Sequence, residues 1–476
     1  MKIAYCASEA APFIKTGGLG DVAQALPDAL SKLPGVEVLV FLPYYKRIKE
    51  NPAVEVEKIT SFEVKLAWRR QYCGVLRLKS PRRKWKVYFL DNEYYFGRDA
   101  IYGEGDDGER FAFFSRAIPE ALVRLGEQVD ILHCNDWQTA LVPVFLRAFY
   151  PEKPEKVKTV FTIHNVEYQG KADAFFFDDT LGLPEEFRNA LTFDGGCNFM
   201  KAAILKADAV TTVSESYARE LRYPYYAHGL AGILEDHAFK LSGIVNGFDP
   251  ACADPATDPN LVQNYTVGDF WEGKAANKRA LQKELGLPQN PSAALCGMVS
   301  RLVPHKGTAL LCGILEELAK FDIQLVILGT GERETEAALS AFADKYPEKI
   351  SVNLRFDPAL ASRIYAASDL YLMPSKSEPC GLSQLIAMRY GSIPVVNETG
   401  GLRDTVTPFR EDTLEGVGFT FQTFTEWDFL DAIRRALGVW GRGGAPFEKL
   451  VQNAMQRDSS WKKPAAQTLS LYKNLF

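Results

Sequence analysis

Short apolar runs alternate with longer amphipathic stretches through most of the chain. The runs at 3–7, 36–42, 129–133, 159–164 and 209–214 have strand length and little polar alternation, the pattern of strands buried on both faces. A second series follows at 293–300, 324–329, 350–355, 370–374 and 393–397. Between the runs, apolar positions recur every three or four residues over 22–33, 109–125, 308–320, 332–346 and 426–440, which predicts amphipathic helices. Repeated β–α alternation with buried strands predicts an α/β fold whose parallel sheets are covered by helices on both faces. The interval 55–90 differs: Val, Phe, Tyr and Trp alternate with polar residues in blocks, which predicts antiparallel strands appended to the first sheet.

A chain of 476 residues exceeds what one core organises, so two or three domains are expected. The segment Val245-Asn246-Gly247-Phe248-Asp249-Pro250 and the Pro/Asp-rich stretch up to Asp258-Pro259 mark the boundary, and the second β–α series begins near Pro291. The tail 465–476 reads as a final helix, with Trp461 before it as a docking residue. The predicted domains are 1–245 with the C-terminal helix at about 458–476, and 246–457. Two Rossmann-like, doubly wound domains facing each other across a deep cleft are the natural architecture, and such sheets bind ligands beyond the carboxyl ends of their strands.

Composition narrows the function class. The net charge of −5 is small for this length and no Lys/Arg block stands out, which argues against nucleic acid and anionic membranes as partners. No run of about 18 apolar residues could span a membrane, and the N-terminus enters a strand at once, so a cytoplasmic protein is expected. Cysteines 6, 73, 134, 197, 252, 296, 312 and 380 form no C-x-x-C pair, and Cys6, Cys134 and Cys296 lie in apolar runs, as reduced core thiols do. The histidines lack metal-ligand spacing, so neither a metal nor another cofactor is expected.

Unusual polar residues collect where strands end. The first strand breaks into Lys15-Thr16-Gly17-Gly18-Leu19-Gly20-Asp21-Val22 before an amphipathic helix. Glycines let a ligand approach the backbone, a helix N-terminus offers N–H groups and partial positive charge, and Lys15 adds a full one: a place for phosphate. Further strands run into Asn135-Asp136-Trp137-Gln138, into His164-Asn165 with Tyr168-Gln169-Gly170, into Arg301 to Gly307, and into Ser375 to Gln384. Taken singly, each has a plain structural reading. The glycines could serve a tight turn, Asp136 could cap a helix starting at Trp137, and His164 could be a hydrogen-bonded core residue. Arg301, Lys306 and Glu378 could be solvated. The fold would gather all these strand ends at one cleft, which makes the joint pattern functional.

Together with Phe161-Thr162-Ile163-His164-Asn165, Ser300-Arg301-Leu302, Lys306-Gly307, Glu378-Pro379-Cys380-Gly381-Leu382 and Thr399-Gly400-Gly401-Leu402-Arg403-Asp404-Thr405-Val406, these motifs resemble the bacterial glycogen synthase and plant starch synthase family, in order and along the whole chain. The resemblance implies the GT-B fold and retaining α-1,4-glucosyl transfer from ADP-glucose to the non-reducing end of a glucan such as glycogen. It implies that Lys15 and the N–H groups around Gly18 meet the donor diphosphate from one domain, with Arg301 and Lys306 clamping it from the other. Closure of the cleft would then be part of the mechanism. By the same resemblance His164 reaches the glucose near its reacting carbon, Asp136 lies by sugar and acceptor, and Glu378 holds glucose hydroxyls. Asn246 contacts the donor sugar, Phe356 stacks on adenine, and Cys380, Gly381 and Leu382 turn backbone N–H groups to sugar or phosphate oxygens.

Retaining relatives of this fold often carry a second glutamate eight positions after the first, where this chain has Ile386. Asp136 is a possible nucleophile, but front-face attack within an oxocarbenium–phosphate ion pair fits the residues better. Other departures are His305 where Gln is common, and Lys376-Ser377 where Arg-Phe is common. Asn135 stands where some relatives have His. Two alternatives stay open on the sequence: UDP-glucose as the preferred donor, and a non-catalytic glucan-binding relative.

Overall fold

The computed structural model describes residues 1–80, 83–152, 156–250 and 253–476, so Cys252 lies outside the described residues. The chain divides into two compact units, Met1–Gly247 with Trp461–Phe476, and Phe248–Ser460.

The first unit contains β1 (Lys2–Cys6), β2 (Glu37–Pro43), β3 (Val56–Leu66), β4 (Arg69–Leu78), β5 (Lys86–Asp91), β6 (Ile131–Asn135), β7 (Lys158–Ile163), β8 (Lys171–Ala172), β9 (Thr192–Phe193), β10 (Gly196–Asn198), β11 (Ala209–Thr212) and β12 (Leu241–Gly243). Its main sheet has the order β12-β11-β7-β6-β1-β2-β5-β4-β3. Parallel pairing runs from β12 to β5, whereas β4 and β3 are antiparallel additions; the 55–90 pattern predicts these two, but β5, at the end of the same interval, pairs parallel with β2 as part of the main sheet. Ile3, Ala4, Tyr5 and Cys6 are all fully buried, which explains why β1 lacks polar alternation. The outer strand β3 alternates instead, burying Phe62, Val64 and Leu66 while Glu63 and Lys65 face water and protect the edge. Chain order reverses between β1 and β6, and that switch point opens a crevice at the strands' carboxyl ends.

The first helix is Gly18–Ser31, beginning earlier than the apolar period suggests. Its N-cap Gly17 has no capping side chain; the Glu9 carboxylate, from the loop before it, accepts from Thr16 N (2.7 Å) and Gly20 N (3.2 Å) instead. It ends by Lys32 because Leu33 precedes Pro34, which disfavours helical backbone. The C-terminal helix Lys462–Lys473 packs against this first helix, and its Tyr472 hydroxyl meets His133 Nδ1 below the sheet. His133 Nε2 contacts Thr162 Oγ1 at 2.6 Å, and burial holds the ring's pKa down at about 3, so it is neutral.

The second unit contains β13 (Ala294–Val299), β14 (Ile323–Leu328), β15 (Ile350–Asn353), β16 (Leu370–Met373), β17 (Ile393–Asn397) and β18 (Phe419–Phe421). They form one parallel sheet in the order β15-β14-β13-β16-β17-β18, with the switch point between β13 and β16. Alternate residues feed two cores. Leu295, Val326 and Leu328 pack with Leu281, Leu360 and Ile364 of helices Phe270–Glu284 and Pro358–Ala367. Cys296, Leu325 and Ile327 join Leu311, Ile314 and Phe429 of helices Thr308–Leu318 and Glu426–Arg442. Among the described residues every cysteine is a free thiol, and no helix is long and apolar enough to cross a membrane.

Candidate active site

In the first unit the loops leaving β1, β6 and β7 carry the polar groups. Asp136 follows β6 with φ 56° and ψ −179°, a backbone state that non-glycine residues rarely adopt. It does not cap the short 3₁₀ turn Trp137–Thr139, since its side chain makes no capping bond there. Its carboxylate accepts instead from His164 N at 2.7 Å. Burial raises the Asp136 pKa to about 7, against the pull of the His164 and Asn165 N–H groups, with Glu9 nearby adding to the rise.

His164 sits one residue beyond β7. Asn135 Nδ2 donates to Cys6 O (3.0 Å), which fixes its amide, and Asn135 Oδ1 then accepts from Tyr5 OH (3.0 Å) and from His164 Nε2 (2.9 Å). The imidazole therefore carries its proton on Nε2 and keeps Nδ1 as an acceptor. Burial lowers its pKa to about 4, so it is neutral at physiological pH. A cavity of about 30 Å³ is lined by Tyr5, Asn135, His164, Asn246 and Trp461, which brings Asn246 to this group. Gly170, at φ 65°, lies on the Trp137 ring, where a Cβ would approach within 2.6 Å. That contact ties the Tyr168-Gln169-Gly170 motif to Asp136-Trp137.

The Gly-rich loop is partly occupied from within. The Glu9 side chain, 2% exposed, takes the N–H groups of Thr16 and Gly20 and the Thr16 hydroxyl. Burial raises its pKa, opposed by those hydrogen bonds and by one from Gly17. Gly18 faces outward with open space where a Cβ would stand, and Lys15 Nζ meets Asp21 at 2.6 Å on the exposed rim.

In the second unit Arg301 and Lys306 follow β13, and Ser375 to Gly381 follow β16, on the two sides of the switch point. Lys306 Nζ lies 2.6 Å from Glu378 Oε2, and Ser375 Oγ donates to the same oxygen at 3.2 Å. Glycines lock this arrangement. Gly307, at φ 75°, lies so close to the end of β16 that a Cβ would meet Pro374 O at 1.8 Å. Gly401 N donates to Glu378 O at 3.0 Å, and a Cβ on Gly400 would meet the same oxygen at 2.1 Å. The Thr399-Gly400-Gly401 motif is thus the floor beneath Glu378. Gly381 has φ 76°, Leu382 is the N-cap of the short helix Ser383–Arg389, and Cys380 is buried beside them. A cavity of about 150 Å³ is lined by Ser300, Arg301, Lys306, Tyr371, Ser375 and Ser383. Phe356, beyond β15, stands two strands from β13 and is 91% exposed. Among the described residues no three His, Cys, Asp or Glu side chains are grouped to hold a metal ion.

This arrangement matches known proteins along its whole length. The profile of the starch synthase catalytic domain matches residues 2–236, and that of group 1 glycosyl transferases matches residues 278–439. A glycogen synthase of Exiguobacterium sibiricum is 49% identical over 480 residues, covering 99% of both chains. One of Clostridium novyi is 46% identical, covering 100% of this chain and 99% of its own. The chain belongs to the glycogen synthase family. The catalytic domain of starch synthase IV from Arabidopsis thaliana, solved bound to ADP and acarbose, superposes with a TM-score of 0.88 at 36% identity over 99% of each chain. Sucrose-phosphate synthase of Thermosynechococcus elongatus, at 19% identity and a TM-score of 0.60, shares the fold. Membership in the glycogen synthase family makes this protein a glycosyltransferase of GT-B fold, as the motifs suggested.

Sequence reasoning passed over Glu9 and Tyr5, and gave Ser375 no role beyond its place in a strand-end motif. Tyr5 and Ser375 carry no signal beyond their strand-end positions. Glu9 had one: a carboxylate between an apolar strand and a Gly-rich turn is placed to cap the helix that follows.

Proposed function

We propose that this glycogen synthase family member acts in the cytoplasm, transferring glucose with retention from ADP-glucose to the non-reducing end of an α-1,4-glucan. The observation that carries the proposal is the β13/β16 switch point, where Arg301 and Lys306 line one cavity beside the Glu378 carboxylate. Two cations beside a carboxylate suit a diphosphate joined to a sugar: the cations take the phosphates and the carboxylate accepts from hydroxyls. As the C1–O bond to the β-phosphate breaks, its electron pair leaves with ADP, and the cations stabilise the charge that grows there. The acceptor hydroxyl forms the new bond to C1 on the same face and passes its proton to the departing phosphate. In this reading the second unit binds the nucleotide sugar, with Phe356 against the base and Gly381, Leu382 and Cys380 presenting backbone to sugar and phosphate.

The first unit supplies the acceptor side. A neutral His164 with a free Nδ1 acceptor can take a glucose hydroxyl, and Asn246 joins it. Asp136, with its pKa at about 7, accepts hydrogen bonds from sugar or acceptor when ionised. Lys15 and Gly18 offer charge and open backbone to the diphosphate.

Glucose incorporation into glycogen from ADP-glucose and UDP-glucose, measured side by side, tests the proposal. Preference for ADP-glucose and a loss of about 100-fold or more in turnover for Lys306→Ala are expected, the scale of one lost transition-state contact. Preference for UDP-glucose would overturn the donor assignment. A folded Lys306→Ala variant with full turnover would remove Lys306 from the site.

A further inference from the structure

Lys306 and Glu378 engage each other directly, and neither is free to move far. Their contact is 2.6 Å, with side chains 18% and 8% exposed. Lys306 is held by Gly307 lying against Pro374, and Lys376 N donates to His305 O at 2.9 Å, binding the two loops together. Glu378 is held by Gly400 and Gly401 beneath it and by Ser375 beside it. The Lys306 cation therefore has a carboxylate at its side, fixed from both loops.

We infer that Glu378 discriminates between the intact nucleotide sugar and the free nucleoside diphosphate, weakening the grip of Lys306 on the product. This rests on the reading of Lys306 as a diphosphate contact. A diphosphate that reaches Lys306 must share it with Glu378 and endure the repulsion of that carboxylate in a recessed, weakly screened place. When a glucosyl group is attached, its hydroxyls donate to Glu378 and offset the repulsion. Once glucose has left, the carboxylate keeps only Lys306 and Ser375 and loses the sugar hydroxyls that offset its repulsion, so ADP is held less tightly. Glu378 thus favours donor over product with a single charge, and its removal costs turnover while tightening product binding. A residue that served only to orient the sugar would leave ADP affinity unchanged.

Calorimetric titration with ADP of the wild type, Glu378→Gln, Lys306→Ala and the double variant tests this. Glu378→Gln is expected to bind ADP about tenfold tighter than the wild type, the scale of one like-charge contact at short range. In the Lys306→Ala background the same change should still tighten ADP, but by less than about tenfold, because the carboxylate's repulsion remains while the shared cation is gone. Should Glu378→Gln not fold, Glu378→Asp draws the carboxylate back by one methylene and should tighten ADP by about twofold to threefold. Unchanged or weaker ADP binding in a folded Glu378 variant overturns the inference, while weaker binding by Lys306→Ala in the same series keeps the diphosphate reading intact. Equal ADP affinity in wild type and Lys306→Ala would overturn both.

Discussion

Asp136 is the residue at which the fold and the chemistry pull hardest against each other, and Asp136→Asn measures that tension. Its backbone sits at φ 56° and ψ −179°, and burial lifts its carboxyl from the ordinary 3.8 to about 7. The folded state then binds a proton more tightly than the unfolded chain. Wild-type stability from this group is complete below pH 4, falls as pH rises through the window from about 4 to about 7, and is level above it. At 1.36 kcal/mol per pH unit the full cost reaches ~2–4 kcal/mol, the lower end allowing for water at the partly exposed carboxylate. Asparagine preserves the shape, tolerates positive φ better than most residues, and still offers Oδ1 to His164 N, but it does not titrate. Urea unfolding at pH 4.5, 6 and 8, followed through the first unit's tryptophans, should show Asp136→Asn more stable than wild type at pH 8. The gap should narrow steadily toward pH 4.5, while glucosyl transfer falls. A gap that is flat with pH, or a variant less stable at pH 8, would refute the assignment of a largely desolvated, unwillingly ionised carboxylate.

Three further outcomes follow from particular contacts. Gly307→Ala places a Cβ on Pro374 O at a left-handed backbone position, so a loss of ~3 kcal/mol or more in the second unit is expected by chemical denaturation. Tyr472→Phe leaves His133 Nδ1 buried without its partner and should cost ~1–3 kcal/mol, read as a lower Tm and faster proteolysis of the C-terminal helix. Glu9→Ala orphans the N–H groups of Thr16 and Gly20, so hydrogen exchange across the Gly-rich loop should rise by ~10-fold or more. Exchange unchanged from wild type would mean that Glu9 does not hold the loop.

The periodic signals in the sequence are local, and the local structure followed them. Strands with uniformly apolar runs became the parallel sheets, the alternating block at 55–90 became the antiparallel β3 and β4 but ended in β5, parallel to β2, and helices such as Asp107–Leu125 came within two residues of their apolar period. Motif residues announced themselves because doubly wound sheets place strand ends at one edge, so Asp136, His164, Arg301, Lys306 and Glu378 could be named from position and chemistry alone. The family resemblance came from the same short motifs.

Distance in sequence hid the rest. Lys306 and Glu378 are 72 residues apart, and only packing of Gly307 on Pro374 and of Gly400 beneath Glu378 brings them to 2.6 Å. His133 finds Tyr472 across 339 residues. The adjacent Tyr94 and Tyr95 look alike in sequence, yet Tyr95 is fully buried while Tyr94 and Trp68 are exposed, a division made by which side of a short helix faces the core. Hydrophobic period and backbone preference depend on neighbours a few residues away, so the sequence by itself determined the elements, their order and the chemistry at the strand ends. Burial, tautomer, proton affinity and the pairing of charges depend on whatever lies across a loop or a sheet, and those only the tertiary structure decided.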